Sequence, residues 1–183
     1  MKNLLRLRNI ITLALCITLF TCSDDENEDQ QNNEYPESYA EFTIQGPITI
    51  GDYNYIDANE SDDFDVFGRL YTTEEEPDFD EDQLQLYVGR SFSLSNFLAV
   101  VPNEIGTHTI LYLGGPNDFD INIQLSSPEE NYYAKEVSVT ITELQLDGST
   151  VKHCKGTFFG DFYRLNLVEA DVHTINGVFE INQ

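Results

Sequence analysis

The amino-acid sequence predicts an all-β protein, a β-sandwich of two antiparallel sheets, with a closed β-barrel as the alternative arrangement. Three observations predict it. Apolar and polar residues alternate in short runs, the 3.6-residue periodicity of an amphipathic helix is nearly absent, and Gly, Pro, Asn and Asp punctuate the runs at short intervals.

Leu84, Leu86 and Val88 form the first clear alternation, Phe119, Ile121, Ile123 and Leu125 the cleanest, and Val137, Val139 and Ile141 a third. A strand with one apolar and one polar face belongs to an antiparallel sheet that covers a core on one side. The stretches from Phe92 to Val101 and from Thr107 to Leu113 are more continuously apolar and read as central strands joined by the loop PNEIG. Between Ile141 and Leu144 the inward parity changes, which calls for a β-bulge. Asp147 and Gly148 then mark a hairpin into a strand starting near Val151. Along that strand Cys154 shares parity with Phe158, so it is expected to be a small buried residue. His153 beside it must face the other way, and the two cannot act as a catalytic pair.

The N-terminus is organised differently. Lys2, Arg6 and Arg8 precede an 11-residue apolar run from Ile10 to Phe20, too short to span the hydrocarbon core of a bilayer. A charged segment followed by a short apolar one is the plan of a signal peptide. The sequence then turns abruptly acidic, CSDDENEDQQNNE. The expected organisation is a signal peptide over residues 1–21, an acidic disordered tether over 22–38 and a single β-sandwich domain over 39–183.

At the junction Leu19, Phe20, Thr21 and Cys22 resemble the lipobox of bacterial lipoproteins, although Phe20 is bulkier than usual and Thr21 replaces the commoner Gly, Ala or Ser. Ser23, Asp24, Asp25 and Glu26 look like the acidic export tag of Bacteroidota lipoproteins. Gly156-Thr157-Phe158 and Ile175-Asn176-Gly177-Val178-Phe179 resemble the paired "GTF…INGxF" strands that close many small uncharacterised β-sandwich lipoproteins of that group. The resemblance implies cleavage before Cys22, lipid (palmitate or a similar acyl chain) on its sulfur, and anchorage in the cell envelope, with display on the outer face of the outer membrane. It implies no catalytic residues.

The chain carries 33 acids against nine Lys and Arg, a net charge of −24. Loss of the first 21 residues leaves six bases against the same 33 acids, a net charge of −27. Such a field repels phosphates, so nucleic acid is not an expected partner. With Cys16 in the signal peptide and Cys22 at the lipid site, Cys154 has no partner for a disulfide within the domain.

Candidate sites are few. Asp57, Asn59, Ser61 and Asp63 place alternate oxygen-bearing side chains where calcium could be held, without the Gly and Glu of an EF-hand loop. The run from Glu74 to Asp82 has seven acids among nine residues and is a second calcium candidate or a solvated loop. Tyr53, Tyr55, Tyr132 and Tyr133 are candidates for an aromatic platform that binds a glycan or an envelope protein. His108 and His173 are expected to be exposed strand histidines. No nucleophile elbow, phosphate loop, zinc spacing or dinucleotide fingerprint occurs. The expected function is a non-catalytic, lipid-anchored binding or accessory module. The alternatives are a glycan- or calcium-binding surface protein and a hydrolase whose two carboxylates stand roughly 5 to 9.5 Å apart in a cleft.

Overall fold

The computed structural model describes residues 37–56, 64–90, 95–111, 118–127, 129–165 and 169–183. Residues 1–36, which include the expected signal peptide, Cys22 and all but Glu37 and Ser38 of the expected tether, lie outside the described residues, as does the Asp57, Asn59, Ser61, Asp63 constellation.

The domain is all-β and antiparallel throughout. Its strands are β1 (Tyr39–Gln45), β2 (Gly51–Ile56), β3 (Phe64–Tyr71), β4 (Gln83–Arg90), β5 (Asn96–Pro102), β6 (Gly106–Leu111), β7 (Asp120–Gln124), β8 (Asn131–Asp147), β9 (Thr150–Arg164) and β10 (Val172–Asn182), with one 3₁₀ turn at Glu169–Asp171. A wide layer runs β2-β1-β10-β9-β8-β6, and a narrower one runs β3-β4-β5-β7. The layers are one hydrogen-bonded system, because β7 pairs with the start of β8 while β3 meets the start of β9. That second junction is the single residue pair Arg69↔Thr150, so the ring of strands is sandwich-like rather than a clean barrel.

The sequence builds this shape through β8 and β9. Three register shifts interrupt their pairing, at Ala134/Glu136, Ile141/Glu143 and Gln145/Leu146. Each extra residue bends the ribbon and increases its twist, which lets one long hairpin reach the narrow layer at both ends. The shift at Ile141/Glu143 is the one that the change of parity predicts. The hairpin turns on Gly148 and Ser149 between Asp147↔Thr150, and Gly148 has a φ of 60°. In that left-handed region a Cβ is penalised.

The core is the space between the layers. Leu84, Leu86, Val88, Ile121, Ile123, Val137, Val139 and Ile141 are all buried, as their alternation predicts. Phe97 of the narrow layer stacks on Phe158 of the wide one with ring centroids 5.4 Å apart and packs on Phe179 at 5.7 Å. Each such ring contributes about 1.5 to 3 kcal/mol relative to an exposed one.

One strand assignment needs correction. β5 is central, between β4 and β7, but β6 lies at the edge of the wide layer and pairs only with β8 among the described residues. Ile110 alone of its residues is buried, and Leu111 is 47% exposed. Apolar residues pointing alternately in and out give a continuous apolar stretch on an edge as readily as in the middle of a sheet.

Candidate functional site

The outer face of the wide layer carries an open trough of about 720 Å³. Strand register creates it, because outward side chains on neighbouring strands line up in rows. One row is Asp52, Thr43, Asn176, Phe159 and Ser138, contributed by β2, β1, β10, β9 and β8 in turn. The adjacent row is Asn54, Glu41, Val178, Thr157 and Thr140. All ten residues line the trough.

Phe159 and Val178 stand near its middle. Phe158 and Phe159 are neighbours on β9 and face opposite ways, so Phe158 is 2% exposed in the core and Phe159 is 60% exposed. Around this apolar spot the polar groups are partly ordered by one another. Thr43 Oγ1 donates to Asp52 Oδ1 at 2.8 Å, Asn54 Nδ2 donates to Glu41 Oε1 at 2.7 Å, and the Thr107 and Thr140 hydroxyls are 2.9 Å apart. Ser138, Thr157 and Asn176 make no side-chain hydrogen bond among the described residues, leaving their hydroxyls and amide for a ligand. No base is among the described residues that line the trough. Lys155, two residues along β9 from Thr157, is held by Glu180 at 2.9 Å.

The tyrosines singled out by sequence do not form one platform. Tyr132 is fully buried and its hydroxyl donates to Thr49 Oγ1 at 2.7 Å, which removes it from any exposed surface. Tyr133, the next residue, lies half-buried on the other face and accepts from Asn131 Nδ2 at 2.7 Å. Tyr53 stacks on Phe42 at 5.8 Å and meets the trough only at its margin, and Tyr55 pairs with Ala40 across the strands. The parity rule that separates Tyr132 from Tyr133 is the same one that exposes Phe159, and that adjacent Phe pair was the signal available in the sequence.

His173 is also a correction, since it is fully buried rather than exposed. It shares parity with buried Ile175, and its ring lies 5.2 Å from that of Tyr132. Its Nδ1 is 3.4 Å from the Asp171 carbonyl oxygen, while Asp171 Oδ2 accepts from Arg164 Nε at 3.0 Å. Its Nε2 has no partner, so no nucleophile is bonded to it among the described residues. His108 sits on the edge strand, where Nε2–H donates to the Glu104 carbonyl at 2.9 Å. His153 packs beside Asn182 Oδ1 at 2.7 Å and Glu143 Oε2 at 3.2 Å, while Cys154 faces the core with its thiol pushed up to about 12 by burial. The expected separation of His153 from Cys154 therefore holds.

In the acidic turn Asp82 Oδ1 accepts from the Thr73 amide at 2.9 Å, and Tyr71 meets Phe79 edge to face. Asp80, Glu81 and Asp118 line a smaller cleft of about 240 Å³ nearby. No three His, Cys, Asp or Glu side chains come together as a metal site among the described residues.

Fold and site together define a sandwich-like all-β domain with an open trough across the outer face of its wider layer. No family model, no curated protein and no solved structure matches the chain.

Proposed function

We propose that the protein is a lipid-anchored module of the bacterial cell envelope, held through Cys22 at the outer membrane, which binds a saccharide in the trough without transforming it. The observation that carries the binding reading is Phe159. A sugar ring presents apolar C–H groups on its face and hydroxyls around its rim, so it is matched by an exposed aromatic face encircled by hydrogen-bonding groups. The five contributing strands, spaced about 4.8 Å apart, give the trough a width of roughly 19 Å from β2 to β8, room for a short oligosaccharide. Glu41 and Asp52 lie on an open face rather than in the water-excluding cleft that a glycoside hydrolase builds around its acid, which supports recognition over hydrolysis.

Two experiments test the two halves of the proposal. Calorimetric titration with a panel of neutral oligosaccharides should find a binder whose affinity falls at least tenfold in Phe159→Ala; equal affinity in both proteins would remove the trough from the proposal. Cells fed labelled palmitate should incorporate it into the wild type and not into Cys22→Ser, and a wild type without label would end the anchoring claim.

A further inference from the structure

We infer that the trough selects saccharides carrying a free amine, an inference that rests on the saccharide reading and adds the chemistry of its ligand. The argument is charge complementarity within one face. Glu41 and Asp52 occupy diagonal positions on β1 and β2, at the end of the trough away from Ser138 and Thr140. Each has one oxygen engaged by a neutral neighbour, through Asn54 Nδ2 and Thr43 Oγ1, and among the described residues neither forms an ion pair. Those hydrogen bonds hold the carboxylates in place while leaving their charge uncompensated.

The neighbouring charges do nothing to offset them. Lys155, on β9 beside the rows, is committed to Glu180, and the chain as a whole is strongly anionic. An acidic sugar such as a uronate would therefore meet repulsion at this end and from the field of the whole domain. A neutral sugar would leave two carboxylates facing only water. An ammonium group on a unit beyond the stacked one is the substituent that satisfies both. A protonated amine donates up to three hydrogen bonds, and bonds between ionised partners are about twice as strong as neutral ones.

The spacing suits a glycan with amines on successive units. Diagonal positions on paired strands lie about 7 to 8 Å apart. Two carboxylates so placed can receive one ammonium each or share one between them, while Phe159, three strands from β2, holds a ring further along the same chain.

The test uses the full mature chain and three oligosaccharide probes of equal length: glucosamine, its N-acetylated counterpart and galacturonate. Expected is an affinity for the glucosamine oligomer at least tenfold above that for the acetylated one, with no detectable galacturonate binding. Asp52→Asn with Glu41→Gln should bring the first two affinities to within twofold of each other. Neutralising two exposed acids of the distant turn, Glu74→Gln with Glu81→Gln, should leave the preference intact. Equal loss from both double variants would assign the preference to the general field and overturn the inference. Equal affinity of the parent for amine and acetylated oligomers would overturn it while leaving the saccharide reading standing, and absence of binding to every sugar would overturn both. An oligolysine peptide of matched charge that bound as tightly, and lost that binding in the Glu41/Asp52 variant, would make the occupant a basic polypeptide instead.

Discussion

The phenyl ring of Phe158 lies over Gly177, its registered partner on the neighbouring strand, and the ring of Phe179 lies over Gly156 in the same way. A Cβ on Gly177 would stand 2.5 Å from Phe158 Cζ and 2.6 Å from the Glu41 carbonyl oxygen. One on Gly156 would stand 2.5 Å from Phe179 Cζ and 2.7 Å from the Thr140 carbonyl oxygen. This reciprocal arrangement gives the Gly-Thr-Phe and Asn-Gly-Val-Phe stretches their physical meaning. Each glycine makes room for an aromatic ring from the adjacent strand, and the ring covers the backbone that the glycine leaves bare.

Gly177→Ala and Gly156→Ala should each destabilise the domain by about 1 to 3 kcal/mol, the usual cost of forcing an extra methyl into a filled site. Because a backbone carbonyl is one of the obstacles in both cases, a ring movement alone does not relieve the clash. Urea denaturation would show this as a lower midpoint at unchanged slope; midpoints equal to that of the parent would mean that the rings are not seated on the glycines.

Much of the fold was legible for a single reason: where one face of a strand is buried, its sequence alternates. Leu84 to Val88, Ile121 to Leu125 and Val137 to Ile141 announce both the strand and its inner face, and the change of parity after Ile141 announces the bulge. The same rule applied to His173 and Ile175, or to Tyr132 and Ala134, would have placed that histidine and that tyrosine inside. Composition suggested the opposite, since histidine and tyrosine are often exposed. β6 was misread because edge or centre depends on pairing partners far away in sequence. The trough was illegible for the same reason: Asp52 and Ser138 join one surface only through the registers of four successive strand pairs.

Asp120 should make stability depend on pH in an unusual direction for a carboxylate. Burial, opposed by hydrogen bonds from the Ile121 and Ala134 amides, raises its carboxyl from 3.8 to about 6, and its Oδ1 is buried without a partner. A folded pKa above the unfolded one means that the folded form binds its proton more tightly. Its contribution is therefore fully present below about pH 4, declines up to about pH 6 and is absent above, an effect of roughly 2 to 3 kcal/mol. Asp120→Asn should flatten the profile between pH 4 and 6 and raise stability at pH 8 relative to the parent. Carboxyl carbon shifts followed by NMR would give the midpoint directly, and one near pH 4 would sink this account.

Glu180 should act in the opposite sense. Burial, the largest influence on it, pushes its carboxyl up, but Lys155, Asn182 and His153 together outweigh that and leave it below its ordinary value of 4.5. Its contribution is thus present above about pH 4.5 and disappears as pH falls through the lowered folded value. Lys155→Met leaves this nearly buried carboxylate without its cation. Since Lys155 is itself 43% exposed, the variant should be less stable than the parent at pH 7, but by less than breaking a fully buried pair would cost. The difference between parent and variant should shrink in acid, when Glu180 is protonated in both. A difference that stays constant from pH 7 to pH 3 would assign the loss to the packing of the lysine stem.

Cys154 should report the opening of the whole domain. Its side chain is fully buried against the core residues of β9 and its neighbours, and the thiol is pushed up to about 12 by burial. Thiolate is the reactive species, so at pH 8 the folded protein offers neither the ionised sulfur nor access to it. Alkylation followed by peptide-resolved mass spectrometry should find the Cys154 peptide unmodified in native buffer and fully modified in urea. At intermediate urea the labelled fraction should track the unfolding curve obtained by circular dichroism, because Cys154 is fully buried on a strand flanked by Ile181 of β10 and Leu144 of β8. Gly177→Ala, by lowering global stability, should move the labelling and unfolding curves together. Labelling that ran ahead of unfolding would instead show β10 leaving the sheet before the rest of the domain, and the wide layer would then not be the single cooperative unit that its packing implies.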